Sequence, residues 1–173
     1  MIGVSKHLCG AATDLALRSL ANFAQESPNK IKTILIALCC HHRCDYGLYV
    51  APDFLHKLDF KPEEFSLLCG LTSWATCGTG KPRDNADRKR DKDDIIDKSD
   101  EKEDAPNPHV DRYERLRLPR EQREEIGRRT KRVLDLGRCE FVREKLGISR
   151  VKLAFYVDAK HTLENVVLIA DND

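Results

Sequence analysis

Thr33-Ile34-Leu35-Ile36-Ala37-Leu38 is an unbroken, mostly apolar run that ends in the cluster Cys39-Cys40-His41-His42-Arg43-Cys44. A short continuous run of this kind is the pattern of a strand covered on both faces, as in a parallel sheet. Upstream, Ile2–Val4 leads in the same way into Ser5-Lys6-His7-Leu8-Cys9-Gly10. Between the two lie a small-residue turn, Gly10-Ala11-Ala12, and a predicted helix over Leu15–Gln25. Thr13 or Asp14 is placed to cap that helix, and Leu15, Leu17, Leu20, Ala21 and Phe23 give it a broad apolar face. Ser27-Pro28-Asn29 stops it. Strand, helix and strand in this order predict a βαβ unit with a right-handed crossover. In open α/β sheets the ligand crevice lies outside the carboxyl ends of the strands. Both ends here carry His and Cys, with Lys6 at the first and Arg43 at the second.

Working outward, a loop with Pro52 precedes a predicted helix from about Pro62 to Cys77, striped by Phe65, Leu68 and Leu71. A helix is predicted again from about Pro119 to Asp135, where Gly137 breaks it, then a shorter one over Arg138–Lys145 that Gly147 ends. Val151–Asp158 and Val166–Asp171 are β-rich runs with a short connection, which predicts an antiparallel pair. The expected fold class is α/β, a mostly parallel sheet finished by an antiparallel strand pair.

From Thr79 to Pro108 there are 18 charged residues and no aromatic one. Such a segment buries too little apolar surface to offset its ordering entropy and is expected to be a disordered insertion. The folded material is then residues 1–78 and 109–173. Net charge is +1, which does not point to a nucleic-acid binder by itself, and no DNA partner is expected. Residues 109–150 carry 13 Lys/Arg against 8 Asp/Glu. That composition suits either a phosphate-facing surface or a solvated helix laced with i,i+4 ion pairs. Seven cysteines without a signal-like start argue against a disulfide scaffold, and no window is long and apolar enough to span a membrane. An intracellular location, nuclear or cytoplasmic, is expected.

Lys6 and His7 are the candidate catalytic residues at the first strand end: a Lys there can accept a proton if burial lowers its pKa or stabilise a developing anion if it stays charged, and His7 is a natural general base near neutral pH. Side chains alternate along a strand, so only one of the two is expected to face the crevice if the strand continues through them. Cys9 precedes Gly10, which lets backbone approach a ligand closely. The second cluster invites a zinc reading with Cys40, His42 and Cys44 as candidate ligands, although one cluster supplies fewer donors than a closed four-ligand site needs. No glycine-rich phosphate loop is present, neither G-x-G-x-x-G nor a Walker-type lysine motif.

The stretch Val4-Ser5-Lys6-His7-Leu8-Cys9-Gly10-Ala11-Ala12-Thr13-Asp14-Leu15-Ala16-Leu17 closely resembles the signature of the eukaryotic tRNA methyltransferase thirteen family, enzymes that methylate a ribose 2′-hydroxyl. So do Ile36–Cys44, Ile126-Gly127-Arg128-Arg129 with Lys131, Asp135, Gly137 and Arg138, and Leu163–Ala170. The resemblance implies a methyl transfer from S-adenosylmethionine to nucleotide 4 of the tRNA acceptor stem. It also implies a seven-stranded, Rossmann-like class I methyltransferase sheet, of which the strands here would be the fourth to seventh. The family's amino-terminal zinc fingers and its first three strands, with the main cofactor glycine loop, have no counterpart in this chain. The chain is therefore expected to be the carboxyl-terminal half of such an enzyme, since Met1 falls within the fourth strand. By position the resemblance makes Lys6, His7 and His42 catalytic, Cys9 and Gly10 cofactor-binding, and Arg43, Asp45, Tyr46, Arg128 and Arg129 substrate-binding. The alternative is a noncatalytic RNA-binding or zinc-binding module derived from such an enzyme.

Overall fold

The computed structural model describes residues 1–77 and 118–172. The whole of the predicted charged insertion, residues 79–108, thus lies outside the described residues. Four strands form one sheet: β1 (Ile2–Ser5), β2 (Thr33–Leu38), β3 (Arg150–Phe155) and β4 (Val166–Asp171). Their order is β1-β2-β4-β3. β1 pairs parallel with β2, in register Ile2↔Thr33 to Ser5↔Ile36. β4 then runs antiparallel to both β2 (Leu38↔Val166) and β3 (Phe155↔Val166). The expected β3–β4 pair is present, but the sheet is not mostly parallel: it has one parallel pairing and two antiparallel ones. The reason is that the last strand returns into the middle, between β2 and β3, and does not add to an edge.

Helix α1 (Ala11–Glu26) makes the crossover from β1 to β2. It starts earlier than its apolar stripe, because Gly10 at φ 55° is its N-cap and no side chain caps it. Thr13 and Asp14 lie one turn inside, fully buried. Leu17 and Ala21 face the sheet beside Ile34, Ile36 and Leu38, and from β4 Leu168 and Ala170 complete the layer, all buried. Removing one such aliphatic side chain from water contributes about 1.5–3 kcal/mol.

After β2 come a 3₁₀ turn (His41–Arg43), α2 (Pro52–Lys57), a second 3₁₀ turn (Pro62–Glu64), α3 (Phe65–Thr72) and α4 (Trp74–Cys77). The predicted helix from Pro62 to Cys77 is thus divided, with Ser73 capping α3. Helix α5 is continuous from Arg120 to Leu146 and ends at Gly147 in the left-handed conformation. Gly137 does not break it. A Cβ at Gly137 would lie 2.2 Å from the Tyr49 hydroxyl, and one at Gly127 would lie 2.4 Å from the Ala75 backbone nitrogen. These glycines let α5 press against the Tyr49 ring and the α4 backbone, a close approach that local propensity cannot reveal.

Gly127→Ala should therefore destabilise by about 1–3 kcal/mol, since the obstacle is backbone and cannot rotate aside. Urea unfolding measures it; an unchanged midpoint would show that α4 yields freely.

Candidate functional site

β1 ends at Ser5, so strand alternation does not govern the next two residues. Lys6 and His7 are both exposed, and both line one cleft of about 360 Å³ at the carboxyl ends of β1 and β2. Neither packs beneath the sheet, contrary to the expectation that one of the pair would. His7 reaches the rim through a left-handed backbone, φ 69°. The opposite wall is Tyr156, Thr162 and Glu164, from the β3–β4 connection. Because β4 starts beside the end of β2, this connection overhangs the cleft.

The second cluster also turns sharply. Cys40 is left-handed, φ 51° and ψ 42°, and the 3₁₀ turn after it sends consecutive histidines to different places. His41 is buried and His42 is exposed. His41 Nε2 lies 2.6 Å from Asp135 Oδ1, while His41 Nδ1 and Asp135 Oδ2 have no hydrogen-bond partner. Arg138, fully buried, joins the rest. Its Nη2 donates to Asp14 Oδ2 at 2.8 Å, its Nε to Asp14 Oδ1 at 3.1 Å, and its Nη1 to Asp135 Oδ1 at 3.4 Å. The same guanidinium reaches Cys44 Sγ at 3.1 Å and the Gly10 carbonyl at 3.4 Å.

Electrostatics follow this arrangement. Burial pushes the Asp135 carboxyl up, but His41 and Arg138 outweigh it and hold it below the usual carboxylate range. The hydrogen bond from Cys69, together with Arg138, lowers the Cys44 thiol to about 7. Burial, then contact with Cys9, raises Cys39 to about 12.

The remaining candidates are scattered. Gly10 is buried, and a Cβ there would lie 2.5 Å from the Arg43 carbonyl oxygen, so its close approach serves the Arg43 backbone and leaves no open cradle for a cofactor. Cys9 does line the cleft. Arg43 is exposed, and Asp45 accepts a hydrogen bond from Leu48 N–H at 3.2 Å. Tyr46 packs edge-on against Phe65 at 5.4 Å, with its hydroxyl 3.2 Å from His56 Nε2. Arg128 and Arg129 are exposed on α5 and paired with Glu125 at 3.1 and 2.7 Å. Cys40, His42 and Cys44 do not converge; the thiols that do are Cys9, Cys39 and Cys40, all within 4.8 Å of one another. Sequence reasoning also missed Glu164, which accepts from the Cys40 N–H at 3.4 Å and is ion-paired with Lys131.

Comparison with known proteins places the chain in a family. A family model described as Methyltransferase TRM13 matches residues 1–171. A relative from Vanderwaltozyma polyspora, named tRNA:m(4)X modification enzyme TRM13, is 36% identical over 98% of this chain and 36% of its own length. A human homolog of the same name is 34% identical over 98% of the chain and 44% of its own length. The Saccharomyces cerevisiae enzyme is 35% identical over 96% and 35%. No solved structure matches. The chain belongs to the TRM13 methyltransferase family, and it spans well under half the length of these relatives. No helix among the described residues is long and apolar enough to cross a membrane.

Proposed function

We propose that this chain is the catalytic-edge portion of an S-adenosylmethionine-dependent tRNA 2′-O-methyltransferase that acts on nucleotide 4 of the acceptor stem. The observation that carries the reading is the cleft in which Lys6 and His7 meet at the ends of the parallel strands, within a chain of the TRM13 family. A parallel pair followed by an antiparallel pair also agrees with the last four strands of a Rossmann-like methyltransferase sheet.

The residues present fit the reacting end of the cofactor and not the whole of it. Cys9 and Leu38, which line the cleft, would border the cofactor's reacting end. Among the described residues, no glycine-rich turn follows a strand to hold the remainder. When bound, S-adenosylmethionine supplies an electrophilic methyl group. What this chain supplies is position and a proton acceptor. Lys6 orients the ribose hydroxyl and stabilises the negative charge that develops on its oxygen during attack, His7 beside it accepts the proton, and His42 borders the approach. Arg43, Arg128 and Arg129 meet backbone phosphates, and Asp45 and Tyr46 shape the substrate side. The pairs that now hold Arg128 and Arg129 are exposed and therefore weak, so phosphate competes for them readily.

The test is methylation of unmodified tRNA with labelled cofactor, by the chain alone and by the chain mixed with the amino-terminal portion of the yeast relative. Mass spectrometry of the digested product should find a ribose methyl at nucleotide 4 in the mixture. A methyl on a base would remove the 2′-O assignment. tRNA binding without any methyl transfer would favour the noncatalytic module.

A further inference from the structure

Three thiols meet at one side of the cleft, delivered by two different segments. Cys9 comes from the turn between β1 and α1, Cys39 and Cys40 from the end of β2. All three sulfurs lie within 4.8 Å of one another, and the Cys9 and Cys39 sulfurs are 3.6 Å apart. A tetrahedral zinc ion with Zn–S bonds of about 2.3 Å sets its sulfurs about 3.8 Å apart. One pair is already near that spacing, and no pair has to close by more than about 1 Å.

Core filling does not account for the cluster. Cys69 and Cys139 are buried as core thiols commonly are, whereas Cys9, Cys39 and Cys40 are only half-buried and line the cleft. Both delivering segments are also strained. His7 and Cys40 are left-handed non-glycine residues, and this conformation costs about 1–3 kcal/mol each. The Gly10 N–H donates to the Cys39 carbonyl at 3.3 Å and ties the two segments together. The backbone that carries Cys40 is held as well: Glu164 Oε1 accepts from the Cys40 N–H at 3.4 Å while Lys131 holds the other oxygen.

We propose that Cys9, Cys39 and Cys40 bind one zinc ion as thiolates, with a water at the fourth position. Binding breaks three S–H bonds and forms three S–Zn bonds; the protons pass to solvent and nothing is oxidised or reduced. Three thiolates and an oxygen in tetrahedral array suit Zn²⁺, whereas Cu⁺ prefers an all-sulfur set. The ion would pin the Lys6–Gly10 turn to the end of β2 and so fix the rim from which Lys6 projects. The metal count does not depend on what the chain methylates, so this proposal and the proposed function can fail separately.

The chain purified under reducing conditions, loaded with zinc and dialysed, should contain one zinc per molecule by elemental analysis. Cys9→Ser, Cys39→Ser and Cys40→Ser should each bind at least about a hundredfold more weakly in chelator competition, the upper end of what even outer-sphere changes cost. Cys44→Ser should keep its zinc. Cobalt in place of zinc should give an intense thiolate-to-metal charge-transfer band that weakens in each of the three variants. Should a variant fail to fold, alkylation of the unaltered chain decides: zinc should shield Cys9, Cys39 and Cys40, and a chelator should expose them. Absence of zinc, equal loss of zinc from Cys44→Ser, or a Cys9–Cys39 disulfide in the reduced preparation would overturn the proposal.

Discussion

Arg138→Met should lower the stability of the fold by about 3–5 kcal/mol, enough to unfold it outright if the wild-type margin lies at the low end of the usual 5–15 kcal/mol. The guanidinium is fully buried, and so are the two carboxylates it serves, Asp14 and Asp135. Methionine matches the length of the stem but leaves Asp14 without the two donors now at 2.8 and 3.1 Å. An uncompensated carboxylate in that setting is the costly product of the change, far more than the loss of the attraction itself. Arg138→Lys should recover little, because a single ammonium cannot span both Asp14 oxygens together with Asp135 and Cys44. The pair Arg138→Met with Asp14→Leu should be more stable than Arg138→Met alone, since it removes the stranded charge. Urea midpoints for the three variants measure this. A loss below 1 kcal/mol for Arg138→Met would mean that water reaches the site.

Lys6→Ala should lower the rate of tRNA methylation by about a hundredfold or more while leaving thermal unfolding nearly unchanged. Lys6 is exposed and follows the last residue of β1, so truncating it removes little packing. Its stem is long enough to bring the amine over the cleft that it lines with Cys9 and Cys39. The assay is the complemented methylation described above, with melting curves run in parallel. A rate within threefold of wild type would take Lys6 out of the mechanism; a large drop in melting temperature would make it a structural residue.

The elements of this fold were legible where a signal is local. The run Thr33–Leu38 gives β2 at its predicted bounds, and the short connection gives the β3–β4 pair. Gly147 ends α5 as expected. What failed depended on partners far along the chain. Gly137 carries the same local signal as a helix breaker, and only Tyr49, 88 residues away, explains why it stays inside α5. The position of β4 between β2 and β3 rests on its pairing with Thr33–Leu38, far back along the chain. At the candidate site, the motif residues were visible from the first reading, but their directions were not. The left-handed turns at His7 and Cys40 reorient everything after each strand end, so that His41 is buried and His42 is exposed. Alternation, the rule available from sequence, stops where the strands stop.

The central place of β4 has a consequence for synthesis. Chains emerge from the ribosome amino terminus first, and here β4 is the last strand of the four to appear. Until then β2 has only its small partner β1, and β3 has no partner among the described strands. β2 must wait with an unpaired backbone edge while the whole segment between β2 and β3 is made, and β3 then waits with it until β4 follows. Such edges are templates for pairing with other chains, and closing them over so long a separation is slow. The nascent protein is therefore most vulnerable to aggregation just before β4 emerges, and a chaperone that shelters the edges of β2 and β3 at that moment would protect it most.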